Sequence, residues 1–338
     1  MNVDELERRI RNLLEKEALL RERAILRIRF KTKMFRIGAA FTAALSSSLP
    51  VLKVNIGAEE FILIPESSWR GSIRKISEWV ACASIEAIKD ELEKAIVKAH
   101  HEHVGGPPTH LAGAEQPIDI AMLVMVAKEL SQDGTLERFL APEEVSDVIS
   151  KAEKISKGET LTVKQEEKLR KVLEPLVAFL CPICRLWGGF GIKSKIILED
   201  TILKPSTFMR THVSLSRIAD VREEARLYSA EYTLANVIEL KAVIENVLPD
   251  STEALILAGT LEWINEIGLE IGGFRSKGLG HLELESCEVI LIRFNGLECR
   301  ELVQALISPE EAGIKMPLHN YIKYLRSQGT SSNPLFLV

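Results

Sequence analysis

The stretch G-G-F-R-S-K-G-L-G-H, residues 272–281, contains four glycines, an Arg, a Lys and a Ser within ten positions. It lies between a helical pattern at 251–269 and an alternating strand pattern at 281–294. Glycine permits positive φ and close backbone approach, and successive N–H groups in such a turn can bind an anion. The loop could hold a sugar–phosphate chain, or it could simply connect a helix to a strand. It is not a P-loop or a Rossmann loop, because both of those follow a strand.

The patterns on both sides of this loop predict a mixture of strands and helices. We expect an N-terminal helix at 3–22 and a strand at 23–32, with Arg27, Arg29 and Lys31 on its exposed side, where they would be solvated or would meet a polyanion. The remaining segments of the predicted core are a long helix at 67–103, strands within 194–200, 210–217, 225–234 and 236–247, a helix at 251–269 capped by Ser251, and a strand at 281–294.

Without the insertion, the order is strand, helix, paired strands, helix and strand. This is the β-α-β-β-α-β pattern of an α+β, ferredoxin-like (RRM-like) core. We predict that the core occupies residues 23–103 and 181–300. A helix-rich, acidic insertion at 104–180 and a C-terminal helix and tail at 301–338 complete the chain. The N-terminal helix, 1–22, has an apolar stripe that would pack on the domain's own sheet or, alternatively, on a neighbouring subunit.

Composition sets limits on the function. The 338 residues carry a net charge of −5, which by itself argues against a nucleic-acid binder, although local clusters of charge decide binding. No apolar run reaches the roughly 18 residues of a membrane span, and the N-terminus is charged from residue 4 onward. We therefore expect a cytoplasmic protein that does not contact a membrane.

Four motifs, in the same order along the chain, resemble those of the RAMP superfamily, the repeat-associated subunits of CRISPR effector complexes. The loop at 272–280 has the family form GGxxxxGxG. "IPESSWRGSIRK", 64–75, is similar to the family's "IPGSSLKG-LR" segment, and "CPICRLWGGFG", 181–191, is similar to the "CPVCRLFG" segment of Csm-type backbone subunits. "RTHVSLSR", 210–217, looks like the start of the family's thumb hairpin.

The resemblance implies an RNA-binding backbone subunit of a type III (Csm-like) antiviral effector complex. Its partners would be CRISPR RNA, target RNA and other subunits, including neighbouring RAMP paralogues. We expect the glycine loop and the start of the first core helix to face one groove, because Arg70 and Arg74 lie one turn apart near a helix N-terminus. The expected RNA-binding residues are Ser67, Ser68, Arg70, Arg74, Arg210, His212, Gly272, Gly273, Arg275, Ser276, Lys277, Gly278 and Gly280.

One position departs from the family pattern. Relatives that cut target RNA carry an Asp shortly after an H-I-G-type motif, here Arg36-Ile37-Gly38, and that position falls near Phe41. No Asp occurs between residues 36 and 60. Phe can neither hold a cation nor move a proton, so we expect no catalytic residue and no cleavage at this site.

Cys181 and Cys184 have the spacing of half a zinc site. Two more ligands could come from "HHEH" at 100–103 or from His110, and we expect His100 and His103. Such zinc would be structural; no other cofactor is expected. Otherwise the two cysteines are buried thiols.

Two other functions remain open from the sequence. One is an RNA-processing endoribonuclease on the same scaffold, which would need a His near the first helix as a general base. The other is a generic protein-interaction domain in which the glycine loop is only a turn.

Overall fold

The computed structural model describes residues 2–38, 48–102, 110–111, 116–215 and 222–327. The helices in this part of the chain are α1 Val3–Glu17, α2 Glu66–Ala83, α3 Glu91–Glu102, α4 Ile120–Ser131, α5 Pro142–Ser156, α6 Val163–Leu180, α7 Pro182–Trp187, α8 Thr252–Glu266, α9 Cys299–Ile307, α10 Pro309–Ala312 and α11 Leu318–Arg326. The strands are β1 Glu22–Lys31, β2 Met34–Phe35, β3 Ser48–Leu49, β4 Lys53–Ile56, β5 Glu59–Ile64, β6 Ile196–Leu198, β7 Thr201–Leu203, β8 Thr207–Leu215, β9 Arg222–Leu234, β10 Val237–Glu245, β11 Leu269–Glu270, β12 His281–Arg293 and β13 Ile314–Pro317.

The main sheet has the predicted ferredoxin-like arrangement. Its strand order is β11-β12-β1-β10-β6, and β13 adds to β12. β1 lies between two antiparallel partners, so that Ile28 is opposite Leu240 on one side and Cys287 on the other. The order β1, α2, β6, β10, α8, β12 along the chain is β-α-β-β-α-β, which confirms the predicted α+β, ferredoxin-like class.

The apolar face of β1 meets α2 and α8. Phe30 stacks on Trp69 of α2, with the ring centroids 5.9 Å apart, and both side chains are fully buried. The two helices lie side by side, and the hydroxyls of Ser77 and Thr260 hydrogen-bond at 2.9 Å between them. Because strand side chains alternate, the opposite face of β1 is left for polar residues.

That opposite face carries a ladder of ion pairs. Arg27 lies 4.0 Å from Glu288 and also pairs with Glu310. Further along β1, the nitrogen–oxygen distances are 3.2 Å for Arg29–Glu239 and 3.4 Å for Lys31–Glu285. The cations of β1 therefore have carboxylate partners within the chain, and this face does not offer the free positive charge that a polyanion needs.

The predicted long helix at 67–103 is wrong, because it is broken in the middle. α2 ends at Ala83, and α3 begins only at Glu91. Asp90 Oδ1 accepts hydrogen bonds from Leu92 N and Glu93 N, both at 3.0 Å, so that Asp90 caps a new helix. The apolar spacing continues across the break, which is why the periodicity did not reveal it.

Two further segments differ from expectation. "CPICRLWGGFG" has the turn-rich composition of a loop, but Pro182–Trp187 within it forms the helix α7. The N-terminal helix packs on α4 of the insertion rather than on the sheet, with Leu6 and Ile10 fully buried. The protein's own chain therefore covers these two side chains of α1. They are not available for contact with a neighbouring subunit.

The β8–β9 hairpin extends from the end of the core at which β10 begins. β8 and β9 are antiparallel, with Arg210 opposite Ala230 and His212 opposite Tyr228. β9 also pairs with β2, next to the end of β1. The hairpin occupies the place predicted for the thumb, and the glycine loop precedes β12 at the same end of the sheet.

Candidate nucleic-acid interface

The glycine loop is held against the backbone that follows β2. Gly273 N donates to Arg36 O at 2.8 Å. At Gly272, where φ is +75°, a Cβ would lie 2.2 Å from the same carbonyl oxygen. Glycine at 272 is therefore required by the contact of the loop with its own chain. Gly278 also has φ +75°, but no atom of the described residues lies within 4 Å of a Cβ at that position, so this side of the loop is open to them.

The tip of the loop is a single 3-10 turn, Arg275–Lys277. Arg275, Ser276 and Lys277 are all exposed, and Arg275 Nε donates to Gly272 O at 3.1 Å. The loop ends where Gly280 N donates to Met34 O at 3.0 Å. Both ends of the loop are thus fixed to β2 or to the residue that follows it, while the tip presents two cations to solvent.

Five side chains meet where the hairpin and the loop touch: Arg36, His212, Tyr228, Phe274 and Lys277. Arg210 lies two residues before His212 on β8, and its charge acts on that imidazole. We name these six residues the hairpin–loop patch. His212 and Tyr228 are cross-strand neighbours and stack with centroids 5.2 Å apart, and the Phe274 ring lies 5.8 Å from His212. Lys277 Nζ lies 4.4 Å from the Phe274 centroid and donates to Tyr228 Oη at 2.7 Å. The Arg36 guanidinium lies 5.4 Å from the Phe274 centroid. Cations interleaved with aromatic rings can hold phosphates and stack bases.

His212 connects the patch to the interior. Its Nε2 shares a hydrogen bond with the hydroxyl of Tyr232, which is buried. Desolvation, and then the charges of Lys277 and Arg210, lower the pKa of His212 below its usual value. The imidazole is therefore neutral at pH 7 and contributes a ring rather than a charge.

The start of α2 bears on the predicted RNA contacts of Ser67 and Ser68. The helix begins at Glu66 with Pro65 as its N-cap, so neither Ser67 nor Ser68 caps it. Asp200 Oδ1 accepts a hydrogen bond from Glu66 N at 2.6 Å. A carboxylate of the chain itself thus occupies the positive end of the helix dipole, where we had expected a phosphate.

Arg70 and Arg74 are used within the chain. Arg70 donates to Trp187 O at 2.9 Å and to Ile196 O at 3.4 Å, and Arg74 donates to Gly188 O at 3.1 Å. These contacts are on the side of α2 that faces the edge strand β6.

The glycine loop approaches the opposite side of α2, where Ser72, Ile76 and Trp79 line a pocket together with Arg275. The expected groove, shared by the loop and the two arginines, is therefore not formed. Whether Arg70 and Arg74 contact RNA stays a prediction.

A buried cluster of His100, His110, Cys181 and Cys184 lies beside α2. The ligand atoms of all four residues lie within 4.8 Å of one another. His100 Nδ1 is 3.7 Å from each sulfur and 3.2 Å from His110 Nε2, and Cys184 Sγ is 3.7 Å from His110 Nε2. His103 lies outside the described residues, and His110, the other candidate from the sequence, completes the set.

This donor set fits zinc. Bond lengths of about 2.3 Å to sulfur and about 2.0–2.1 Å to nitrogen in a tetrahedron give ligand–ligand distances of roughly 3.3–3.8 Å, close to those in the cluster. Burial alone would raise the pKa of the Cys181 thiol, but hydrogen bonds with Cys184 and both imidazoles hold that pKa well below its usual value. A thiolate is the form that binds metal.

A carboxylate contacts each imidazole at the ring nitrogen that does not face the cluster. Glu174 Oε1 lies 2.6 Å from His110 Nδ1, and Glu78 Oε1 lies 3.3 Å from His100 Nε2. Arg74 Nε in turn donates to Glu78 Oε1 at 3.0 Å. Metal-binding histidines commonly have such partners, so the contacts of Arg74 support the cluster rather than an RNA surface.

The position of the family's cutting residue, near Phe41, lies outside the described residues. Among the neighbouring described carboxylates, Glu60 and Glu231 each lie 3.1 Å from Lys53 Nζ. Glu231 also accepts a hydrogen bond from Val51 N at 3.1 Å. These two carboxylates already have partners within the chain.

A family model described as the RAMP superfamily matches residues 27–283, well over half of the chain. The chain therefore belongs to the RAMP superfamily, whose members are CRISPR-associated proteins that bind RNA and act in multi-subunit complexes. A search of curated proteins finds no match. Within the described residues, no helix has the length and apolar character needed to cross a membrane.

Sequence reasoning identified Arg210, His212 and the loop but missed the aromatic half of the patch. Phe274 stands inside the quoted loop and Tyr228 within a predicted strand, so both were visible. Only the pairing of β8 with β9 shows that Tyr228 is opposite His212, and pairing register is not a local property of either segment.

Proposed function

We propose that this protein is a CRISPR RNA-binding backbone subunit of a type III (Csm-like) antiviral effector complex and that it does not cut target RNA. The hairpin–loop patch is the observation on which this proposal rests. It joins the predicted thumb to the family's glycine loop, and it combines cations with stacked rings. The partners would be CRISPR RNA, target RNA and neighbouring RAMP paralogues.

The endoribonuclease alternative receives less support. It needs a His able to act as a general base near the RNA. His100 is buried in the Cys–His cluster, and His212 is half-buried with a hydrogen bond to Tyr232. His281 is exposed at the end of the loop, and among the described residues its ring has no hydrogen-bond partner that would hold it as a general base. The generic interaction domain does not account for the exposed cations Arg210 and Lys277 beside aromatic rings.

RNA binding is tested with the full chain and a labelled single-stranded RNA. We expect Lys277→Glu to weaken binding at least about tenfold, because it replaces a phosphate-binding cation by a carboxylate. Lys31→Glu is the matched control, since Lys31 lies on the ion-paired sheet face; its affinity should stay near that of the parent. Equal effects of the two substitutions would contradict a specific patch.

The absence of cutting is tested in the assembled complex. Target RNA is incubated with the complex and the cut positions are mapped. We expect no cut assigned to this subunit. A cut that disappears when residues 36–60 of this chain are replaced would show that the subunit is an active nuclease.

We also propose that His100, His110, Cys181 and Cys184 hold one structural zinc ion. Four protein ligands leave no position for substrate, so the metal would join α3, the segment containing His110, and the turn between α6 and α7.

Zinc is measured by elemental analysis after dialysis against a chelator. We expect about one zinc per chain, and we expect Cys184→Ser to lose the metal and to lower the melting temperature. Cys82→Ser, which changes an exposed cysteine, should keep both at the parental values. A parent protein without stoichiometric zinc would contradict the assignment.

A further inference from the structure

A second aromatic site lies between α2 and α8, beside the glycine loop but outside the hairpin–loop patch. It is a pocket of about 190 Å³. The lining includes Lys75 and Trp79 of α2, Trp263 of α8, and Ile267, Glu270 and Arg275 from the segment that follows α8. The rings of Trp79 and Trp263 lie 5.8 Å apart at an angle of 49°. We name it the tryptophan pocket.

The apolar part of this pocket is unusually open to solvent. Trp79 is 48% exposed and Ile267 is 54% exposed, whereas Trp69 and Trp187 are buried. Leaving Trp79 in water forgoes the free energy that burial of an indole would give. A ring-shaped ligand placed against the indole would recover part of that free energy.

Two of the three charged side chains that line the pocket, Lys75 and Arg275, are positive. Lys75 Nζ lies 5.0 Å from the Trp79 ring centroid, and the Nε of Arg275 is bonded to a loop carbonyl. In the described part of the chain, neither cation forms an ion pair with a carboxylate, and Glu270 is the acidic residue of the lining. An anionic ligand would therefore find unpaired cations here.

We propose that the tryptophan pocket takes one unstacked nucleobase of a bound single-stranded RNA, with the flanking phosphates on Lys75 and Arg275. This inference rests on the proposed RNA-binding function and adds a second contact point to it. Bases in single strands stack on exposed aromatic rings, and a pocket of this size suits a single base rather than a larger cofactor.

The two sites adjoin through the loop tip. Phe274 belongs to the hairpin–loop patch and Arg275, the next residue, belongs to the tryptophan pocket. A single-stranded RNA bound to the hairpin–loop patch would cross the exposed turn Arg275–Lys277 and reach the tryptophan pocket. The loop then acts as a ridge between two aromatic sites.

The first test is tryptophan fluorescence of the full chain during titration with a single-stranded oligouridine. Of the four tryptophans, Trp69 and Trp187 are buried, so a quench on binding must come mainly from Trp79 and Trp263. We expect a saturable quench in the parent protein. It should be smaller in Trp79→Phe, which keeps a stacking ring but leaves only Trp263 as a reporter, and it should be lost when Trp263→Phe is added.

The second test measures affinity for the same labelled RNA. We expect Trp79→Ala to weaken binding roughly 5- to 100-fold, the range for loss of one base stack, and Trp79→Phe to bind close to the parent level. Phe190→Ala is the control, because Phe190 is 66% exposed but does not line the pocket; it should bind as the parent does. Thermal melts establish that each variant is folded.

The outcomes separate this inference from the proposed function. If Lys277→Glu weakens RNA binding but Trp79→Ala does not, the pocket assignment is overturned and the RNA-binding proposal stands. If the parent protein does not bind RNA at all, both fail. If Trp79→Ala keeps RNA affinity but abolishes self-association seen by sedimentation, the pocket is a protein contact and the inference is again overturned.

Discussion

At the scale of single residues, Glu22 is the clearest case of a group placed against its chemical preference. It is 4% exposed, and the hydroxyl of Tyr324 donates to its carboxylate. Burial raises the pKa of Glu22 to about 7, although the Tyr324 hydrogen bond and the charge of Arg293 oppose the shift. A carboxyl group in this position is more easily buried neutral than charged.

Stability should therefore fall as pH rises from about 4.5 to about 7, the window between the unfolded and folded pKa values of Glu22. In this window the folded state holds the proton of Glu22 more tightly than the unfolded state does. The contribution of protonated Glu22 to stability is therefore complete below the window and lost above it. The shift corresponds to about 3 kcal/mol. Urea unfolding at several pH values should show this slope in the parent and a flatter profile in Glu22→Gln. Parallel profiles for the two proteins would contradict it.

Single residues also show how far the sequence could lead to the metal cluster. Cys181 and Cys184 could be recognised because two residues separate them within one turn of chain. The partner imidazoles depend on where a distant segment returns, and "HHEH" offered several equivalent histidines. The structure brings His110 to the site through its contact with the buried Glu174, which no local pattern encodes.

At the scale of elements, local patterns predicted the strands of the core and α8 with its Ser251 cap. They failed where an end signal competes with a continuing apolar stripe. Between α2 and α3 the spacing of Ile85, Ile88 and Leu92 remains helical, yet Asp90 satisfies two backbone N–H groups and starts a new helix. The packing partner of α1 could not be predicted either, because it depends on how the insertion folds back.

The position of α1 makes a testable difference. Ile10 is fully buried, so Ile10→Ala should destabilise the protein by about 2–5 kcal/mol through lost burial and a remaining cavity. Leu19→Ala, just beyond the helix, removes a side chain that is 67% exposed and should change stability by less than about 0.5 kcal/mol. Urea unfolding of the two variants decides it. Similar small losses would mean that α1 is loosely attached.

At the scale of the whole molecule, the net charge of −5 gives little indication of RNA binding. The cations of β1 are paired across the sheet, whereas Arg210, Arg275 and Lys277 lie exposed at the loop end of the core. The paired cations and the exposed cations thus lie on different parts of the surface. Only the three-dimensional structure shows this separation. This is why composition alone argued against the function that the fold supports.

RNA affinity should depend on salt as a local cation cluster would require. About five phosphate contacts, from Arg36, Lys75, Arg210, Arg275 and Lys277, predict a slope of log K against log salt near −3.5 for single strands. Lys277→Glu should make the slope shallower by about 1. Titrations between about 50 and 200 mM salt measure both slopes. A parent slope near zero would show that binding is not electrostatic.

The fit of Gly272 against the carbonyl of Arg36 bears on how such sequences are recognised. A methyl group cannot enter that gap, whether or not RNA is present. A related protein that no longer bound RNA would still need glycine at this position, because the loop packs against the backbone of Arg36. Glycine at 272 is therefore evidence of how the backbone is built, while evidence of a working ligand surface must come from the solvent-facing residues Arg275 and Lys277.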